Sequence, residues 1–219
     1  MRYTSGMEQY KTLAGAGESA LVDRKSRFLG FAAPFDDVPA AERYLADLRK
    51  RFAAASHVVF AFRLVRPEQY SRFSDDGEPK GTAGPPLLDV LTAAGLVQCG
   101  VFVVRYFGGT LLGTGGLVRA YGKAAAAAVE AAGVVTMTKA RRIDVRLAYD
   151  ISERVQDGLK RAGFMLSDVR YADEVRVTAA VPMAEAERFR TLLDDLSAGR
   201  ADCRELGDGY LNIGKDATI

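Results

Sequence analysis

The segment Arg105-Tyr-Phe-Gly-Gly-Thr-Leu-Leu-Gly-Thr-Gly-Gly-Leu-Val-Arg119 decides how this chain is read. It continues the β-rich run Cys99-Gly-Val-Phe-Val-Val-Arg-Tyr-Phe107, which predicts a buried strand. It leads into Leu117–Ala132, which predicts a helix ended by Gly133. A strand, a glycine-rich loop and a helix start in succession form an anion site, because unpaired N–H groups and the positive end of the helix dipole converge there. Gly108, Gly109, Gly113, Gly115 and Gly116 would supply its backbone, with Arg105, Arg119 and Lys80 as candidate cations. A tight turn that needs glycine only for packing accounts for the same residues, and the two readings stand level. The back half of the helix, AAAAAVEAA over residues 124–132, has so little bulk that it can lie close against a sheet.

Nucleotide motifs fit this segment only in part. Gly108 to Gly113 has P-loop spacing, but Thr114 stands where the phosphate-binding lysine is required. Gly113-x-Gly115 opens a dinucleotide fingerprint, yet Val118 takes the third small position and the acidic residue expected about twenty positions on is missing. Nucleotide triphosphatase and dinucleotide chemistry are therefore disfavoured.

A second candidate is the loop Ser74-Asp75-Asp76-Gly77-Glu78-Pro79-Lys80-Gly81-Thr82-Ala83-Gly84. Asp75, Asp76 and Glu78 offer oxygen ligands to a hard cation, but the D-x-D-x-D-G order of a calcium loop is absent. Asp and Gly are ordinary turn formers, and Thr82 is placed to cap a helix that starts at Pro85-Pro86; this reading is preferred. A more specific variant has the acids pair with Arg105 or Arg119 and hold the glycine loop in shape. His57, the only histidine, heads the apolar strand His57–Val65 and reads as a satisfied structural residue rather than a general base. Cys99 reads as a small core residue. No catalytic constellation, metal site or cofactor site emerges.

Around these segments the chain organises into two parts. Residues 18–35 predict two extended pieces about Arg24–Arg27; residues 38–52 predict a helix with Asp37 as N-cap and Pro39 in its first turn. From about residue 141 the order becomes β-α-β-β-α-β, the ferredoxin-like pattern. The predicted domains are 1–138 and 139–219. Of 219 residues, 30 are Lys or Arg and 28 Asp or Glu, a net +2. Through Ala140 there are 17 basic and 13 acidic residues (+4); beyond it 13 and 15 (−2). This excludes a strongly electrostatic, non-specific polyanion binder and leaves room for a local anion site on the first part. Two distant cysteines make no disulfide framework, and neither a signal peptide nor a membrane span is read, so a cytoplasmic setting is expected.

Lys25-Ser-Arg-Phe28, Ser56-His57, Asp75-Asp-Gly-Glu-Pro-Lys-Gly-Thr-Ala-Gly84 and Arg105 through Tyr121 together resemble the IMPACT family, in its bacterial YigZ-like branch. The resemblance covers about residues 18–132; the remainder is similar by pattern and position to the smaller C-terminal domain of bacterial members. It implies an α+β fold: an N-terminal two-layer α/β sandwich, as in domain IV of elongation factor G and certain ribosomal proteins, and a ferredoxin-like C-terminal domain. Eukaryotic relatives regulate translation with the help of an additional domain that this chain lacks, so the resemblance implies a translation- or RNA-linked role rather than their partner. It transfers no catalytic residues. Val58-Val59, where members often have polar residues, is a departure that weakens an active role for that strand.

The leading expectation is a non-enzymatic binding protein contacting RNA or the translation machinery. Arg105, Arg119, Lys80 and the Gly108–Gly116 backbone would meet phosphate, and Asp75, Asp76, Glu78 and Thr82 would shape the site. The alternatives are an enzyme acting on a small anionic substrate through Asp75, Asp76 or Glu78, and a protein-interaction adaptor without an anion site.

Overall fold

The computed structural model describes residues 7–66 and 69–212. The chain divides into two compact units, Met1–Val135 and Thr136–Ile219.

In the first unit β2 (Gly17–Asp23) and β3 (Ser26–Pro34) form a hairpin whose two-residue turn places Arg24 and Lys25 at positive φ. With β4 (His57–Leu64), β5 (Tyr70–Ser74) and β6 (Cys99–Tyr106) they make an antiparallel sheet in the order β2-β3-β6-β4-β5. The central strand β6 reads Cys-Gly-Val-Phe-Val-Val-Arg-Tyr, and its first seven residues are buried. A strand apolar on both sides needs cover on both faces. Helix α1 (Val38–Arg51) packs on one face against Phe31, Phe60, Phe62 and Phe102; α2 (Gly84–Ala93) and α3 (Thr114–Ala132) pack on the other against Phe28, Val59, Val101 and Val103.

Local signals explain several boundaries. The Asp37 carboxylate accepts from Ala40 N–H at 2.7 Å and caps α1, with proline in the first turn. Helix α3 begins at Thr114, three residues before the predicted start, because its first turn is built from glycines that apolar periodicity does not register. Its alanine-rich flank does lie against the sheet: a Cβ on Gly30 would stand 2.5 Å from the Ala124 carbonyl oxygen. Strand β1 (Gln9–Leu13) was not expected. It is short and polar, and it is held by Val97 N–H to Lys11 O at 3.0 Å and by the Thr12 hydroxyl to Gln98 O at 3.1 Å. Strand β5 was not expected either; it meets the predicted loop only at Ser74. As an edge strand, almost wholly exposed, it carries no alternating pattern.

The second unit has β7 (Val134–Leu147), α4 (Tyr149–Arg161), β8 (Met165–Tyr171), β9 (Val175–Pro182), α5 (Ala186–Ser197) and β10 (Asp202–Asn212). The strand order β10-β7-β9-β8, all antiparallel, is that of a ferredoxin-like domain. Its core joins Val145, Leu147, Val155, Leu159, Val177, Phe189 and Leu193.

The packing of α3 on β3 makes a test. Gly30→Ala forces a methyl into the Ala124 carbonyl and is expected to cost about 1–3 kcal/mol in urea unfolding. Gly122→Ala, on the same helix with nothing within 4 Å of the added carbon, is expected to gain up to about 1 kcal/mol.

Candidate functional site

Sheet register sets the site. His57 pairs with Arg105 across β4 and β6, and Arg105 pairs with Phe28 across β6 and β3. Directly opposed residues share a face, so these three side chains form a row on the face that α3 covers. Tyr121 of α3 comes down on the row, edge-on to Phe28 with ring centroids 5.2 Å apart. The Arg105 guanidinium lies 5.4 Å from the ring centroids of both Phe28 and Phe107.

The loop between β5 and α2 delivers Glu78 to this row. Its side chain is 3% exposed; Oε1 accepts from Arg105 at 2.5 Å and from the Tyr121 hydroxyl at 2.6 Å, and lies 3.8 Å from His57 Nε2. Arg105 also donates to the Ser26 hydroxyl at 3.2 Å, and that hydroxyl accepts from Gly108 N–H at 3.2 Å. Arg105 Nε, buried too, has no hydrogen-bond partner among the described residues. Burial, and then the hydrogen bond and charge of Glu78, raise the Tyr121 phenol far above its ordinary value, so it acts as a donor only.

The acids of the loop separate instead of converging. Asp75 turns back and accepts from Gly81 N–H at 2.8 Å, Ala83 N–H at 3.0 Å and Gly84 N–H at 2.9 Å, capping α2 from nine residues upstream. Asp76 accepts from Val58 N–H at 2.7 Å and pairs with Arg49 at 2.8 Å. Thr82 does not cap α2, because its hydroxyl donates to Pro79 O at 2.6 Å. The three carboxylates thus spend their oxygens on three different partner sets. Among the described residues no group of three or more His, Cys, Asp or Glu is placed to hold a metal ion.

A cavity of about 390 Å³ opens beside Glu78, bordered by His57, Arg105, Phe107, Leu111 and the Gly113–Thr114 start of α3. Gly113 is the N-cap at φ 74° and provides no side-chain acceptor, so the first N–H groups of α3 stay uncovered. Phe107 and Leu111 are 48% and 81% exposed and form an apolar mouth. Gly108 packs on the backbone of Lys25, where any Cβ would overlap the carbonyl. Gly116 is buried against Leu112, whereas Gly109 and Gly115 are exposed, as are Arg119 and Lys80. Arg119 reaches alongside the first turn of α3, 3.6 Å from the position of a Cβ on Gly115. Of the cations expected to meet phosphate, Arg105 is an internal counter-ion, and Arg119 and Lys80 lie outside the cavity lining. Sequence reasoning gave no role to Tyr121 or Ser26 and a purely structural one to His57. All three lie within the motif strings quoted above, and that co-occurrence was the available signal.

The Asp75 cap predicts an acid dependence. Burial opposes ionisation, but the three backbone N–H groups outweigh it and hold the carboxyl below its ordinary value. With the folded pKa depressed, the stabilisation is present above the unfolded value of about 3.9 and lost as pH falls through the folded one. Asp75→Asn is therefore expected to lower stability at neutral pH and to flatten the loss of stability on acidification, measured by urea unfolding over a pH series.

Comparison with known proteins follows from this geometry. Residues 24–129 match the Impact N-terminal domain, and residues 145–200 match a domain of unknown function, DUF1949. An IMPACT family member of Bacillus subtilis, YvyE, is 31% identical over 199 residues, 91% of this chain and 92% of the relative. YigZ of Escherichia coli is 34% identical over 80% of this chain and 87% of its own. An IMPACT family member of Thermus thermophilus is 39% identical over 81% of this chain and 96% of its own. A crystal structure described as that of a hypothetical protein is 32% identical and superposes with a TM-score of 0.60, over 92% of this chain and 98% of that one. The residues that line the cavity fall within the matched N-terminal domain, and the chain belongs to the IMPACT family.

Proposed function

We propose that the N-terminal unit binds a small anionic ligand in the cavity beside Glu78. The observation that carries this is one cavity of about 390 Å³ bordered by the open N-terminus of α3, by His57 and by the buried Glu78–Arg105 pair. A volume of this size is in the range of small-molecule sites and is concave, whereas a polymer backbone needs a run of exposed cations. The ligand's phosphate or carboxylate meets the uncovered N–H groups of Thr114, Gly115 and Gly116. Its apolar body lies on Phe107, Leu111 and Leu117, and a polar group points toward His57 and Glu78.

An RNA- or ribosome-contacting role, the expectation that follows from the resemblance, draws less support from this geometry. Arg105 is enclosed, which leaves Arg119 and Lys80 as the exposed cations of the expected set, beside the exposed Arg24, Lys25 and Arg27 at the β2–β3 turn against the glycine loop. The geometry favours the small-anion alternative.

Thermal unfolding in the presence of inorganic phosphate, a nucleoside monophosphate and small di- and tricarboxylates tests the reading. At least one of these is expected to raise the Tm saturably, by the amount linkage gives for its Kd. Thr114→Glu places a carboxylate at the first helical position, where the dipole favours it, so the fold is kept while the competing anion is repelled. The ligand-induced rise should therefore disappear without loss of basal Tm. Salt-dependent binding of structured RNA by filter assay, with no response to any small anion, would contradict the proposal.

A further inference from the structure

On the small-anion reading of the cavity, we propose that His57 is its proton-transfer residue: Nε2 takes a proton from a hydroxyl group or a water molecule held against a small anionic substrate. The ring is oriented from behind. Nδ1 lies 2.8 Å from the Asp76 carbonyl oxygen, an atom that only accepts, so in the neutral ring Nδ1 carries the hydrogen and Nε2 the lone pair. Asp76 cannot swing away, because its carboxylate is held by Val58 N–H at 2.7 Å and by Arg49 at 2.8 Å. Gly77, at φ 87°, lies over the ring, and a Cβ there would be 3.6 Å from Nδ1.

His57 lines the cavity together with Glu78, and its Nε2 lies 3.8 Å from Glu78 Oε1. That separation is too long for a hydrogen bond, and with a neutral ring both atoms are acceptors. A proton arriving on Nε2 reverses this: the Nε2–H is then a donor facing a carboxylate acceptor. The charged groups facing the ring are Asp76 and Glu78 from the loop and Arg105 from β6, with Arg49 of α1 reached through Asp76. In the proposed step the substrate or water O–H bond breaks, its proton forms the Nε2–H bond, and the electron pair stays on oxygen. The imidazolium later returns the proton to an oxygen of the bound molecule. Glu78 acts as a positioning residue that never leaves Arg105 and Tyr121. A histidine serving only the fold needs its Nδ1 bond alone, whereas this ring also lines a cavity.

The chain has one histidine, so imidazole signals carry no overlap. Long-range proton–nitrogen NMR spectra of the ligand-free protein, recorded above the histidine titration, are expected to show the Nδ1–H tautomer, the reverse of free histidine. Diethyl pyrocarbonate is expected to modify Nε2 of the wild type. The rate should follow the neutral fraction of the ring as pH rises, and the reaction should be absent in His57→Gln. The wild-type tautomer and rate profile decide. An Nε2–H tautomer, or an imidazole unreactive in the folded protein, overturns the proposal. Inorganic phosphate should slow the modification in proportion to the fraction bound. Absence of that protection, with tautomer and reactivity as expected, contradicts the anion reading of the cavity while the basic Nε2 stands.

Discussion

The Glu78 carboxylate is enclosed with the Arg105 guanidinium and the Tyr121 hydroxyl, both on the same oxygen, at 2.5 and 2.6 Å. Taking two opposite charges out of water costs several kcal/mol per ion, and their attraction offsets this only when further hydrogen bonds complete the pair. Here Ser26 takes one arm of the guanidinium, and two aromatic rings border the cation. The pair joins the middle of the sheet, the loop before α2 and the first half of α3. The wall of the cavity, the place of the α3 N-terminus and the distance from Glu78 to His57 all follow from it.

Around that contact the acidic loop divides its work. Asp75 closes the start of α2, Asp76 ties the loop to β4 and α1, and Glu78 reaches inward. Each carboxylate stabilises backbone or charge that would otherwise be unsatisfied, which is why the cluster does not gather around a common point. The glycine loop is held in turn by Gly108 on the Lys25 backbone and by Phe107 N–H to the Ser56 hydroxyl at 3.0 Å. With the loop fixed at its base, Gly113 and Thr114 at the start of α3 line the cavity.

Much of this was legible in the sequence because it rests on local chemistry. Asp37 announced the start of α1, the paired prolines that of α2, and the alanine run the close packing of α3. The β-α-β-β-α-β order of the second unit followed from periodicity. The edge strand β5 is exposed almost throughout and has no burial pattern, and β1 alternates over only five residues, too short a run to mark it as a strand. The site was legible as a set of motifs but not as a geometry. Sequence reasoning offered Arg105 both as a phosphate-facing cation and as a partner for an acid of the 75–78 loop; the sheet register sets it opposite His57, and Glu78 is the acid it meets. His57 itself read as a satisfied strand residue, and one of its nitrogens is satisfied. That the ring lines a cavity depends on a loop twenty residues away in sequence and on α3.

A double-mutant cycle of Glu78→Gln and Arg105→Met, followed by urea unfolding, tests most directly whether the molecule is built on this pair. Each single variant leaves one buried charge uncompensated and should lose about 3–5 kcal/mol. The double variant, with no charge left to compensate, should lose less than the sum, giving a coupling of about 2 kcal/mol or more. Losses that simply add would contradict the account, because the loop, α3 and the sheet would then be held together by something other than the Glu78–Arg105 contact.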